Sequence, residues 1–171
     1  MTIAVEQATN TTLTADMEQK TGMSVGIPKE IYPGECRVAA TPDTAKLLQK
    51  MGFRVLVETG AGEAANFPDD AYREAGCALI SDTSTLWESA DIILKVRSPE
   101  FHTTLGKHEA ELLHDGQTLI SFIYPAQNPE LLQKLAAQKA TVLAMDSVPR
   151  ISRAKKWMPS VPWPTLLAIG Q

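Results

Sequence analysis

Cysteine is scarce. Cys36 and Cys77 are the only two, and they fall into no Cys-x-x-Cys or Cys/His ligand spacing. Neither a disulfide framework nor a zinc site is expected; both read as buried or idle thiols. Long apolar runs are missing as well. None approaches the roughly 20 residues that a membrane-spanning helix requires, and the first residues lack the basic-then-apolar pattern of a signal peptide. A cytoplasmic chain with no membrane segment of its own is therefore expected. An excess of basic charge is also lacking. With 16 Lys+Arg against 20 Asp+Glu, interspersed, and a net charge of -4, no basic stripe could track phosphates, so nucleic acid is excluded as a partner. Internal repeats and low-complexity segments are absent.

What remains is the composition of one soluble globular domain: 171 residues, 44% hydrophobic and 21% charged, enough to bury a core. Residues 1–22 are rich in Thr, Gln, Glu and Ala and have too few large apolar residues to offset the entropy of ordering. They read as a flexible N-terminal extension, with Met17 and Met23 as alternative starts. From Met23 onward, short apolar runs alternate with amphipathic stretches. This pattern predicts strands at Ser24–Ile27, Arg54–Glu58, Ala78–Ile80, Asp91–Val96, Thr118–Ile123 and Thr141–Met145.

Helix signals lie between these runs. Thr41-Pro42-Asp43 and Asn128-Pro129-Glu130 each place a capping residue and a first-turn proline before a helical period, Ala45–Met51 and Leu131–Lys139. Ser81–Thr83 can cap a helix through Trp87, and Gly52 and Gly76 stand where a left-handed residue ends a helix. Beta-alpha units repeated about five times predict an α/β, doubly wound, Rossmann/flavodoxin-like mostly parallel sheet with helices on both faces. Its ligand crevice is expected at the carboxyl ends of the strands.

Gly60-Ala61-Gly62-Glu63-Ala64-Ala65 fits the G-x-G-x-x-A dinucleotide pattern, with Asp82 about 20 residues further on. That chemistry needs a helix that starts at the glycines and aims its N-terminus at a pyrophosphate. Here Asn66-Phe67-Pro68-Asp69 restarts the chain, so a loop before a helix at Asp69 is the better reading. His102, His108 and His114 recur every six residues, not at the i, i+4 spacing that turns two imidazoles to one metal, and read as a solvated helix or loop face. Arg37 and Lys95 stand near carboxyl ends of strands, where a cation faces the crevice. A snorkelling or salt-bridged residue is the alternative for each.

Gly26-Ile27-Pro28-Lys29-Glu30, Arg37-Val38-Ala39-Ala40-Thr41-Pro42, Val57-Glu58-Thr59-Gly60-Ala61-Gly62 and Ile93-Leu94-Lys95-Val96 together resemble the family shared by alanine dehydrogenase and transhydrogenase. Ser121–Ala136 and Ala144–Ala154 are more specific, and resemble the alpha subunit of proton-translocating NAD(P) transhydrogenases. Residues 23–154 then correspond to the N-terminal half of a domain that binds NAD(H). The resemblance implies that the intact relative holds NADH between this half and a following Rossmann half. It passes hydride to NADP+ on a separate domain, coupled to proton translocation, and works with other transhydrogenase domains or subunits as a homodimer at the inner membrane.

The same resemblance assigns Arg150, Ile151, Ser152 and Arg153 to a loop over bound NAD(H), followed by a glutamine whose position is taken by Lys155. Alanine dehydrogenases carry a catalytic histidine at the position of Tyr124. A phenol holds its proton far more tightly than imidazole and is a poor acid/base substitute, whereas direct hydride transfer between two nicotinamides needs no such group. The first alternative, a fragment of an alanine dehydrogenase-like amino-acid dehydrogenase, is disfavoured on that ground. The second, a non-enzymatic α/β module such as a signalling receiver, lacks the acidic residues after the first strand that would hold Mg2+, since Pro28-Lys29 follows there.

After Ala154 the family continues as a long helix, but here Pro159, Pro162 and Pro164 forbid one. Read one nucleotide earlier, Lys156-Trp157-Met158-Pro159 must encode Met or Val, then Asp, then Ala; the family has Met-Asp-Ala. One deleted base ahead of the lysines accounts for the change of Lys155 from glutamine, so residues 155–171 are expected to be an out-of-frame tail. With one wall of the cleft and no phosphate-cradling loop, the chain alone is expected to bind NAD weakly and transfer no hydride.

Overall fold

A computed structural model describes residues 22–148. Residues predicted before and after these, including Arg150, Ile151, Ser152, Arg153 and Lys155, lie outside the described residues. The eight strands are β1 (Ser24–Ile27), β2 (Arg54–Glu58), β3 (Ala78–Ile80), β4 (Ile92–Leu94), β5 (Phe101–His102), β6 (Lys107–His108), β7 (Thr118–Ser121) and β8 (Thr141–Ala144). The helices are α1 (Pro42–Lys50), α2 (Asp69–Glu74), α3 (Thr83–Ser89) and α4 (Pro129–Ala137). No helix among the described residues is long and apolar enough to cross a membrane.

Six strands form one sheet in the order β3-β2-β1-β4-β7-β8, and every pair is parallel. Continuous apolar runs make this arrangement favourable, because an inner parallel strand buries both of its faces. In β2, Val55 and Val57 join Ala45, Tyr72 and Ala75 on the α1/α2 side, while Leu56 joins Leu86 and Trp87 on the other. Ile93 and Leu119 lie on that second side with Leu131 and Leu135, so α3 and α4 cover it. Helices on both faces and a strand order that reverses at β1 make the sheet doubly wound, as predicted.

Local sequence accounts for the helix ends. Thr41 accepts a bond from the Thr44 N–H at 3.3 Å, and Pro42 occupies the first turn of α1. Asp82 caps α3 by accepting from the Thr85 N–H at 2.8 Å, one residue inside the predicted Ser81–Thr83 window. Gly52 (φ 97°) and Gly76 (φ 81°) take the left-handed conformation expected of them.

Some expectations need correction. The fourth strand is Ile92–Leu94 rather than Asp91–Val96: the Asp91 carboxylate instead accepts from the Ser24 N–H and hydroxyl at 2.6 and 2.7 Å. His102 and His108 lie neither on a helix nor in a plain loop, but on the two-stranded antiparallel hairpin β5/β6, pairing with Lys107 and Phe101. Strands of two residues are too short to produce a readable period. A 3-10 turn at Glu109–Leu112 follows the hairpin, with His108 as its cap.

Candidate functional site

The strand order reverses between β1 and β4, and in such sheets the ligand position is expected outside the carboxyl ends of the strands at that point. The β1 loop brings Glu30, Glu35 and Arg37, and β4 brings Lys95 and Arg97. The loop after β7 brings Tyr124.

Lys95 does not face the crevice. Its side chain is 1% exposed and its ammonium donates to Glu109 at 2.8 Å and pairs with Glu30 at 3.4 Å. The predicted alternative, a salt-bridged residue, describes it. Burial opposes its charge, but Glu109 and then Glu30 outweigh this and hold the ammonium above its usual pKa. Burial pushes the Glu109 carboxyl up despite the opposing effect of Lys95, as expected when two carboxylates share one ammonium away from water. Both carboxylates also serve the backbone. Glu30 accepts from the N–H of Val96 at 2.6 Å and of Arg97 at 3.3 Å, and Glu109 accepts from the Glu100 N–H at 2.9 Å. The triad therefore ties the β1 loop, the end of β4 and the hairpin together.

Arg37 reaches the rim with its side chain 32% exposed, and it is engaged there. Its Nε and Nη2 donate to the two Glu35 oxygens at 2.7 and 2.6 Å, and its backbone N–H donates to Glu35 at 3.0 Å. Arg97 donates from Nε to the same carboxylate at 2.6 Å, and its guanidinium lies 4.6 Å over the Tyr32 ring. The side-chain hydrogen bond from Arg37 is the main reason that the Glu35 carboxyl is lowered to about 2.

Tyr124 is 45% exposed and sits at φ 51°, unusual for a large side chain. Asp146 holds it there by accepting from the N–H of Ile123 at 2.7 Å and of Tyr124 at 3.1 Å. Asn128 adds a bond to the Ile123 carbonyl at 2.8 Å. Phe122 stacks on the phenol ring, with centroids 6.3 Å apart.

The glycine loop offers no phosphate cradle. Glu63–Ala65 make a single 3-10 turn, Asn66 is left-handed, and α2 starts at Asp69, where the sequence places it. A Cβ on Gly62 would fall 2.6 Å from both the Phe67 carbonyl and the Tyr72 ring, so Gly62 is needed for packing against its own chain. Gly60 donates its N–H to Asp69 at 2.9 Å, and Asp82, expected 20 residues on for a ribose, caps α3 instead. The described residues thus do not fit the pyrophosphate of a dinucleotide.

Glu30, Glu35, Arg97 and Glu109, which make the ion pairs around Lys95 and Arg37, were not singled out in the sequence. One signal was legible: Glu35 lies two residues before Arg37 in an irregular stretch, where the two side chains can fold onto each other. The others are joined only by tertiary structure.

The described residues thus form a doubly wound α/β domain whose strand order reverses between β1 and β4. The chain belongs to the alanine dehydrogenase/PNT N-terminal domain family, whose model matches residues 26–160. Over 134 residues it is 54% identical to the NAD(P) transhydrogenase subunit alpha of Cereibacter sphaeroides, spanning 78% of this chain and 24% of that protein. Over 126 residues it is 37% identical to alanine dehydrogenase of Bacillus subtilis strain 168, spanning 74% of this chain and 32% of that protein. The crystal structure of transhydrogenase from Sinorhizobium meliloti superposes with a TM-score of 0.69 at 36% identity, covering 77% of this chain and 37% of that one. The chain thus spans about a quarter to a third of the length of the curated transhydrogenase subunits that it matches.

Proposed function

We propose that this chain forms the N-terminal wall of the NAD(H) cleft of a proton-translocating transhydrogenase alpha subunit. In the complete assembly NADH gives hydride to NADP+ held on a separate domain, and the reaction is coupled to proton movement across the membrane. The assembly includes other transhydrogenase domains or subunits, pairs as a homodimer, and keeps this domain peripheral to the inner membrane. The observation that carries this reading over amino-acid oxidation is Tyr124, fixed by Asp146 at the crevice rim where a dehydrogenase of this family has its histidine.

When bound, NAD(H) supplies the hydride. This chain's contribution is orientation and shielding. Tyr124 and the paired Arg37 and Arg97 line the rim, and by resemblance Arg150, Ile151, Ser152 and Arg153 belong to a loop over bound NAD(H), with Lys155 at the glutamine position. None of these groups is asked to shuttle a proton, which suits hydride transfer between two nicotinamides. The described residues offer no seat for the pyrophosphate, and on this reading the isolated chain is inactive.

The test is a chimaera in which residues 23–148 replace the matching stretch of a transhydrogenase alpha subunit. Hydride transfer from NADH to an NADP+ analogue, with no alanine-dependent reduction of NAD+, is expected. Alanine oxidation by the chimaera would sink the reading in favour of an amino-acid dehydrogenase. Calorimetry on the purified chain should show no micromolar NADH binding.

A further inference from the structure

We propose that His108 is a proton-sensitive clasp: as a neutral imidazole it caps the turn that presents Glu109 to Lys95, and on protonation it releases that turn and loosens the β5/β6 hairpin from the sheet.

His108 ends β6 and precedes the 3-10 turn at Glu109–Leu112. Its Nδ1 accepts from the Ala110 N–H at 3.1 Å. A backbone N–H can only donate, so Nδ1 must keep its lone pair and the proton of the neutral ring must sit on Nε2. An imidazolium carries N–H at both positions and cannot cap. The turn has little freedom to answer by moving. Ala110 is buried in the core cluster with Leu113 and Leu119, and Glu109 holds the Lys95 ammonium at 2.8 Å and the Glu100 N–H at 2.9 Å. A proton on Nδ1 would therefore meet the Ala110 N–H and leave that buried donor without an acceptor. The surroundings oppose such a proton. Burial first, and then the Lys134 ammonium on α4, hold the imidazole below its usual pKa against the pull of Glu111 on the turn itself. Glu100 and Glu130 border, with His108 and Lys134, a cleft of about 520 Å³, and Lys107 is the neighbour on β6. Because the folded chain resists a proton that the unfolded chain takes up, the clasp contributes fully above pH 6.5 and is lost as pH falls through the lower folded value. His102, the other imidazole of the hairpin, accepts from the Leu105 N–H at 3.3 Å and so serves only the hairpin's own loop.

The test is amide hydrogen exchange on the full 171-residue chain, read at Ala110 and Glu100 across the imidazole range, from about pH 8 to about pH 5. Expressed as protection factors, which remove the intrinsic effect of pH, protection at both amides should fall at least ~5-fold over this range. His108→Asn puts a side-chain oxygen near the place of Nδ1, an acceptor that does not titrate, and should abolish the fall. His108→Ala should show the lower protection throughout. Glu109 is the other group here that acid can reach, because burial holds its carboxyl up. A fall that persists in His108→Asn would belong to Glu109 and overturn the proposal, and so would constant protection in the unaltered chain. One measurement needs no variant: the ring-nitrogen resonances of the unaltered chain should show an unprotonated His108 Nδ1 at about pH 8, and a proton there would overturn the proposal as well. No cofactor takes part, so the result bears on the clasp alone.

Discussion

The two halves of the sheet are built to different standards. In the β3-β2-β1 half, β2 is buried on both sides: Val55 and Val57 under α1 and α2, and Leu56 under α3. In the β4-β7-β8 half, only one side is treated this way. Ile93 and Leu119 have 0% exposure beneath α3 and α4. Their in-register neighbours on the opposite side, Leu94, Ile120 and Leu143, become more open toward the edge, with Leu143 at 49% exposure. The connections before β4, β7 and β8 all use the covered side, so no helix of the described chain crosses the other. A strand's hydrophobicity therefore tells how it pairs, but not how many of its faces this stretch of chain can cover.

The seam between the halves should be the most sensitive point. Lys95→Met would leave Glu30 and Glu109 facing each other without their shared cation, and should lower unfolding free energy by about 3–5 kcal/mol in a urea titration. A loss below ~1 kcal/mol would mean that the triad does not join the halves. Next, Leu119→Ala on the covered side should cost about 2–5 kcal/mol by the same measurement. A smaller loss would remove the contrast between the two sides.

Acid should act on the rim. The Glu35 carboxyl is lowered to about 2 from 4.5, so its contribution is complete above pH 4.5 and disappears as pH falls toward 2. With Arg37 and Arg97 partly open to solvent, this amounts to on the order of 1–2 kcal/mol. Glu35→Gln should flatten that part of a stability-versus-pH curve, and an unchanged curve would remove Glu35 as its cause. Smallest of all, Leu143→Ser should change stability by less than ~1 kcal/mol. A core-sized loss would show that this side is covered after all.

Much of the scaffold was legible, and the reasons are local. The six sheet strands are apolar runs bounded by turn residues, and α1 and α4 start at Thr41-Pro42 and Asn128-Pro129. The hairpin was missed because Phe101–His102 and Lys107–His108 are too short for alternation to register. The crevice was half legible. Being near the end of a strand predicted Arg37 and Lys95 equally, yet one reaches the rim and the other is buried. The difference is made by Glu109, 14 residues further on, which no spacing rule connects to β4.

Asp146 lies one strand beyond the loop that it organises. Because its carboxylate sets the backbone that carries Tyr124, the phenol's aim is governed from the carboxyl end of β8. A disturbance at the outer margin, even one that leaves every rim residue intact, would turn the aromatic ring away from the opening that it borders. The outermost strand acts as the hinge pin of the doorway.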